Sequence, residues 1–424
     1  MGRAAAARAA DPSGDARRMN APRDRAGAPG AGGGPRPRGV SPLPCLTALA
    51  FLVTVDSRMM TPLLPAMAQS LATSVTAMGL AMTAYMLPYG LCQFVYGPLA
   101  DQLGRIRVVR VAAIGFGLGA LATSFAPTVL ELHALRFVTG VFAAAIFPLA
   151  LVYIGDSVPY RERQGAIGRF VAVTSLAQSL SSAIGGTVAH FVSWRALFAG
   201  TGLAALVPAL LLFGVRSGAG RTGGAGSGAG AWERYRAILG RRAARVLYAV
   251  VGFEGLFLWG GFTYLGAVAV ARFGLNELEV GLLIAVYGVA TLLGGVSLAR
   301  VRSLVPEPHL AALGGALKGT GYLLMIPHGP IALYAVGIAM LGLGYIALHT
   351  TLQTRATELV PEARGTAVAL FAFFLFFGGS VGSAAFGPLV DQGWHRLFLA
   401  ICGLSLLGLG AVSVRLLRRA PDTA

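Results

Sequence analysis

The chain has 424 residues, of which 55% are hydrophobic and only 12% are charged, and it carries a formal net charge of +17. Soluble proteins carry about twice that share of charged residues because polar surface must cover their core, so the composition excludes a soluble globular protein. The positive charge does not indicate nucleic-acid binding, since the arginines are spread over short loops and form no single patch.

Residues 1–42 open the chain with Ala, Gly, Pro and Arg and without an apolar core, which predicts a disordered tail. Met19 is an alternative start to Met1 within it. Beyond it, apolar runs recur that are long enough to cross a bilayer core of about 30 Å as helices. Twelve spans are expected, at 43–65, 77–100, 108–127, 129–155, 165–190, 194–214, 244–270, 278–299, 309–327, 331–356, 365–390 and 394–416.

The segment 215–243 divides the spans six and six, and its "SGAGRTGGAGSGAG" stretch predicts a flexible linker. The two halves, 43–214 and 244–417, share local patterns in the same order. "WRALF" opens the sixth span and "WHRLF" opens the twelfth. This repeat predicts two parallel six-helix bundles, followed by a short tail at 418–424.

The arginines indicate the orientation of these spans. They concentrate after spans 2, 6 and 8 and around the start of span 5, whereas the intervening loops hold only Arg195, Arg272 and Arg396. Basic residues in alternate loops predict that both termini, the linker and the tails are cytoplasmic. A single lysine beside abundant Arg, Ala and Gly is typical of a high-GC bacterial genome, so the inner membrane is the expected location.

The stretch "GPLADQLGRIRVVR" interrupts the apolar runs after span 2. Asp101 lies at the C-terminal end of its helix, where the helix dipole disfavours a negative charge by roughly 0.3–1 kcal/mol. It therefore needs a cationic partner, which Arg105 or Arg107 can supply, or the N-terminus of another helix. Gly97 is expected to permit a close backbone approach, and Gly104 a tight turn.

The spacing of Gly97, Asp101, Gly104 and Arg105 resembles the signature loop of the major facilitator superfamily. A second family motif is matched by Arg136 and Gly140 in "LRFVTG", and the resemblance covers residues 43–417. It implies an all-α membrane protein with twelve transmembrane helices in two parallel six-helix bundles, and a secondary transporter that works by alternating access. It also implies a conformational lock formed by Gly97, Asp101, Gly104, Arg105 and Asp156.

Two positions depart from the family pattern. The equivalent loop after span 8, "GGVSLARVRS", has no acid, so the second half lacks a full lock. Family antiporters tend to carry a proline in helix 5 where this chain has Ser182 in "SSAIGG". The second departure weakens the expectation of proton antiport.

Ionisable residues within spans cost roughly 2.5–3.5 kcal/mol each, so they mark functional or paired positions. Asp56 and Arg58 lie two residues apart and point to nearly opposite faces, so an Asp56–Arg136 pair between helices is the better expectation. Glu254 has no evident partner, and desolvation favours the neutral form of an unpaired carboxyl. Asp56 and Glu254 are the candidates for proton coupling, with Glu254 preferred.

Two further ionisable residues leave alternatives open. Lys318 could act in transport or could extend its long stem to the membrane interface. His349 could titrate or could be a satisfied residue of the core. The candidates for the substrate cavity are Arg58, Arg136, Tyr85, Tyr89, Gln93, Gln178, Trp259, Tyr264, Tyr287, Tyr345 and His349.

These residues suit an amphiphilic or aromatic substrate better than a small inorganic ion. The expected function is proton-coupled export of a small organic molecule, and the alternative is an uptake symporter or facilitator on the same fold. An ATP-driven pump is excluded because the only lysine lies in Leu317-Lys318-Gly319, which is not a P-loop. No enzyme activity, cofactor, metal or nucleic acid is expected, and the partners are the substrate, protons and the bilayer, with the protein acting as a monomer.

Overall fold

The computed structural model describes residues 41–215, 228–359 and 364–418, and across these ranges the chain is helical with no strand. In chain order the helices are α1 (Pro42–Arg58), α2 (Met60–Ser70), α3 (Val75–Leu103), α4 (Arg105–Thr123), α5 (Val129–Ser157), α6 (Tyr160–Phe191), α7 (Trp194–Leu211) with a 3-10 turn at Leu212–Gly214, α8 (Gly228–Gly240), α9 (Arg242–Glu254), a π-helical turn at Gly255–Gly260, α10 (Gly261–Phe273), α11 (Glu277–Leu304), α12 (Glu307–Leu324), α13 (Ile331–Glu358), α14 (Arg364–Asp391) and α15 (His395–Arg418).

Nine helical stretches within the described ranges are long and apolar enough to cross a membrane, and the bent pair α1 and α2 makes a tenth. The helices α6 and α12 lie where the fifth and ninth spans are expected, but polar residues lower their hydropathy. With these two included, the helices fit the twelve predicted spans.

The flexible stretch predicted at 217–230 is wrong at its last three residues, because α8 begins at Gly228. Tyr235 of this helix packs on Phe94 of α3, with ring centroids 5.0 Å apart. Residues 1–40 and 419–424 of the predicted tails and 216–227 of the predicted linker lie outside the described residues.

The first span bends by 54° between α1 and α2. Pro62 lacks the N–H that would bond to the carbonyl of Arg58, and its ring clashes with that carbonyl. Such a proline is one of the recognised causes of a kink. The bend therefore falls at Arg58 and Met59, near the middle of the span.

The seventh span contains the π-helical turn Gly255–Gly260 between α9 and α10. Gly255 and Gly260 pack against the backbone of α14, where a side chain at Gly260 would overlap Gly382. Small residues let membrane helices approach closely. π-turns occur frequently at functional sites, and this one carries Trp259.

Helices α3, α5, α7 and α11, which are spans two, four, six and eight, all begin with a capped N-terminus. The side chains of Ser74, Thr128, Ser193 and Asn276 each accept a hydrogen bond from the backbone N–H three residues later. Such caps satisfy donors that the helix itself leaves unpaired. The starts of these four spans are therefore fixed by local sequence alone.

The two ends of the helical bundle differ in how the halves meet. We call the end with Asp101, Arg105 and Asp156 the lock face, and the end with Thr76 and Asp391 the opposite face. At the opposite face the Thr76 N–H donates to Asp391 Oδ2 at 3.2 Å, which joins α3 to α14. The first and seventh spans touch there through α2 and α10, so the halves are closed at the opposite face.

Candidate functional site

A buried ion pair joins α1 to α5 in the first half. Arg136 Nη1 donates to Asp56 Oδ1 at 3.0 Å and to Oδ2 at 2.9 Å, and both side chains are fully buried. The two residues expected to pair from their depth are thus brought together. Arg58, two residues after Asp56, does not take part, because it lies on a different side of the helix.

The Arg136 guanidinium also lies over two aromatic rings, 4.3 Å from the centroid of Tyr85 and 5.2 Å from that of Phe198. Gly140 makes this contact possible, since a Cβ there would lie 3.0 Å from the Tyr85 Cα and would push α5 away from α3. The arginine and glycine of "LRFVTG" therefore act together to seat the guanidinium. Two of its nitrogens, Nε and Nη2, have no hydrogen-bond partner among the described residues.

A second buried cluster lies in the other half. Glu254 Oε1 accepts a hydrogen bond from Lys318 Nζ at 2.6 Å, and Glu254 Oε2 lies 3.3 Å from His349 Nδ1. Glu254 and Lys318 are fully buried and His349 is almost so. The expectation that Glu254 has no partner is wrong, because its partners come from α12 and α13, 64 and 95 residues further along the chain.

The arrangement decides the alternative for Lys318 and shows the contacts of His349. Lys318 does not extend to the membrane interface, since its ammonium group is held inside the half by Glu254. His349 contacts a carboxylate and stacks on Tyr345, with ring centroids 4.4 Å apart. The only lysine in the chain, placed within an apolar span, was the signal that could have indicated a buried partner.

Between the two ion pairs, aromatic side chains from both halves surround Arg58. Its guanidinium lies 3.3 Å from the centroid of Trp259 on the π-helical turn. Tyr345 and Tyr287 pack on Trp259 with ring centroids 5.3 and 5.9 Å away. Tyr85 and Tyr89 of α3, whose ring centroids are 6.0 Å apart, also lie near the guanidinium and complete the group. We call Arg58, Tyr85, Tyr89, Trp259, Tyr287 and Tyr345 the central cluster.

Three of the predicted cavity residues belong neither to the central cluster nor to the two buried ion-pair clusters. Tyr264 lies near the opposite face, where its hydroxyl donates to the Ser383 carbonyl and fills the space beside Gly79. Gln93 Nε2 donates to the Ala144 carbonyl at 3.4 Å. Gln178 lies on α6, and its Nε2 is buried without a partner among the described residues. Tyr264 therefore serves packing between α10 and α14 and does not face the central cluster.

The lock face carries the loop motif. Arg105 contacts Asp156 of α5 directly and lies 3.9 Å from Asp101, so one guanidinium joins two carboxylates. Gly104 has a φ of +89°, which explains a glycine at the turn between α3 and α4. The expectation of a close backbone approach at Gly97 is wrong, because Gly97 is exposed and no atom lies within 4 Å of where its Cβ would lie.

No metal site accompanies these clusters: in the described ranges, no three His, Cys, Asp or Glu side chains come together in a way that could hold an ion. Buried charges in membrane helices mark substrate or ion pathways. Helices in two halves about a charged, aromatic centre thus define a multi-pass membrane transporter.

Comparison with known proteins identifies the family. The model of the Major Facilitator Superfamily matches residues 46–383 and 273–424, and the chain belongs to this family. It is a transporter and not an enzyme.

The relatives include two bacterial transporters that the chain matches over most of its length. It is 25% identical over 364 residues to the uncharacterized MFS-type transporter YceJ of Bacillus subtilis (strain 168), covering 85% of this chain and 91% of YceJ. It is 24% identical over 388 residues to the multidrug transporter MdfA of Yersinia pestis bv. Antiqua (strain Angola), covering 88% of this chain and 93% of MdfA.

Among solved structures, the nucleoside transporter NupG superposes with a TM-score of 0.72. The match covers 90% of this chain and 100% of the NupG chain, at 11% sequence identity. This likeness shows the fold alone.

Proposed function

We propose that the protein is a secondary active transporter that exports small organic molecules across the bacterial inner membrane in exchange for protons. The observation that supports this best is the pair of membrane-buried carboxylates, Asp56 and Glu254, one in each half, on either side of the central cluster. Each carboxylate is held by a cation from another helix. Adding or removing a proton therefore changes contacts between helices, as coupled transport requires.

Glu254 is the stronger candidate for the proton carrier. Its carboxylate binds two helices at once, through Lys318 and His349, and His349 stacks directly on Tyr345 of the central cluster. The π-helical turn that carries Trp259 begins at the next residue. A proton on Glu254 would weaken both contacts beside the substrate position. Asp56 is the second candidate, because among the described residues it is held by Arg136 alone.

Asp101, Arg105 and Asp156 form the conformational lock in this proposal. Their side chains are partly exposed at the lock face, and the contacts join the end of α3 to the start of α4 and the end of α5. Exposed ion pairs contribute about 0–1 kcal/mol each, which suits a contact that must form and break in every transport cycle.

Export is favoured over uptake by the similarity to MdfA, whose name describes a multidrug transporter. Ser182 favours the second candidate, an uptake symporter or facilitator, because family antiporters tend to carry proline there. The two functions differ in whether protons cross the membrane in the opposite direction to the substrate or in the same direction.

Counterflow in proteoliposomes tests the proposal. The purified protein is given a panel of labelled aromatic acids, lipophilic cations and neutral amphiphiles, with and without an imposed pH gradient. Export by antiport predicts that substrate moves against its gradient as protons move the other way. Movement of substrate together with protons supports the symporter, and absence of any stimulation by the pH gradient contradicts proton coupling.

A further inference from the structure

Arg58 differs from three other arginines of the transmembrane helices in having no hydrogen-bonding or ion-pair partner among the described residues. Arg136 is paired with Asp56, while Arg110 donates to the Leu212 carbonyl and Arg195 to the Ser124 carbonyl. Arg58 instead lies over the π face of Trp259. A cation–π contact stabilises a guanidinium but leaves its N–H donors available.

The charges around the central cluster do not balance without a further anion. Asp56 is matched by Arg136, and Glu254 is matched by Lys318. Arg58 remains as one positive charge near the middle of the span that contains it. A charge at that depth is unfavourable unless a partner compensates it.

The buried polar atoms without partners around Arg58 point the same way. They are the hydroxyls of Tyr85 and Tyr287. Each hydroxyl can donate one hydrogen bond. Two such hydroxyls, beside a guanidinium without a hydrogen-bond partner among the described residues, match a ligand that carries acceptor oxygens.

We propose that Arg58 binds the negatively charged group of the substrate, and that the substrate class is aromatic carboxylic acids. The rings of Tyr89, Trp259, Tyr287 and Tyr345 would stack on the aromatic part, while the carboxylate accepts hydrogen bonds from Arg58. Trp259 holds the guanidinium in place so that little side-chain freedom is lost on binding. The inference rests on the proposed function, since it names the substrate of the same central site.

Binding of three matched probes to the full-length protein tests the inference. They are 2-naphthoate, its amide 2-naphthamide, and the corresponding 2-naphthylmethylammonium ion. Equilibrium dialysis in nanodiscs of phosphatidylcholine, a zwitterionic lipid, excludes lipids of net negative charge as the source of the negative charge. A hydrogen-bonded charge pair predicts that the naphthoate binds about tenfold more tightly than the amide, and the ammonium ion least tightly.

Three variants show whether Arg58 causes this preference. Arg58→Gln should bind the naphthoate and the amide equally, and Arg58→Lys should retain part of the preference. Arg195→Gln is the matched control, because Arg195 also lies over a tryptophan, 4.3 Å from the Trp194 centroid, but is bound to backbone carbonyls. It should keep the full preference. Gel filtration confirms that each variant is folded.

Three results would overturn the inference: no preference for the naphthoate in the native protein, no binding of any probe, or a preference that survives in Arg58→Gln. Transport of the ammonium ion driven by a pH gradient, without naphthoate preference, would leave the proposed function standing and this inference wrong. Preferred binding of naphthoate without any transport would support the anion site and contradict the proposed function.

Discussion

Replacing Glu254 by Gln gives a direct test of the buried pair in the second half. Glu254 Oε1 lies 2.6 Å from Lys318 Nζ, and neither side chain is exposed. The substitution leaves Lys318 charged inside the half without a counterion. Breaking a buried pair in this way costs about 3–5 kcal/mol. Because the glutamine oxygen can still accept one hydrogen bond, the lower end of that range is expected.

A double variant separates stability from coupling. In Glu254→Gln/Lys318→Met neither position of this pair keeps a charge without its partner, and replacing a buried pair by neutral groups is often neutral or stabilising. Its melting temperature should lie near that of the native protein. At roughly 2–4 °C per kcal/mol for a unit of 150–250 residues, a loss of about 3 kcal/mol should make Glu254→Gln alone melt roughly 6–12 °C lower. Lys318→Met, the matched single variant, should also melt lower.

The melting temperatures can be read with a thiol-reactive dye, since Cys45 and Cys402 are buried and become reactive on unfolding. Transport is then measured in proteoliposomes with the stable double variant. It should exchange substrate across the membrane but should not accumulate it under a pH gradient. If Glu254→Gln melts like the native protein, the buried pair does not exist. If the double variant still accumulates substrate, Asp56 becomes the remaining candidate for the proton.

Three further predictions follow from other parts of the molecule. Asp101→Asn should reduce transport strongly but leave insertion into the membrane unchanged, because the Asp101–Arg105 contact is partly exposed and contributes little to stability. A native transport rate in this variant would show that the loop serves only as a positively charged flank of the span. Gly281→Leu should open the opposite face to impermeant labels, since a Cβ there would lie 2.7 Å from Gly186 Cα of the other half. Gly295→Leu on the same helix is the control and should have no effect, because no atom lies within 4 Å of where a Cβ at Gly295 would be. Single cysteines replacing Gly240 and Gly329 should label from opposite sides of the membrane, and equal labelling of intact cells from outside would contradict the predicted orientation.

Part of the site could be predicted from the local sequence pattern and from the depth of each residue within its span. Asp56 and Arg136 lie at comparable depth in neighbouring spans, and a charge within a span needs a partner, so their pairing followed from the sequence. Gly104 stands between two helices at a turn that needs a positive φ, and it has one. These inferences need only the period and length of the helices.

The partners of Glu254 could not be predicted in the same way. Its span is apolar on nearly every side, so the sequence does not show which face turns inward. Lys318 and His349 lie on two helices that follow much later, and the lysine could equally have pointed to the membrane surface. Gly97 was misjudged for the same reason, since a glycine at a helix end can face a neighbour or face away.

The sequence by itself determined the class of the protein, because an apolar composition, twelve runs of membrane length and the loop motif depend only on residues close together in the chain. Only the tertiary structure decided that Arg58 lies unpaired against Trp259, 201 residues away, at the meeting of the two halves. That position depends on the proline bend in the first span, the π-helical turn in the seventh and the packing of both halves. Contacts between distant helices are set by which faces pack together, and helices that are apolar all round carry no periodic signal for that choice.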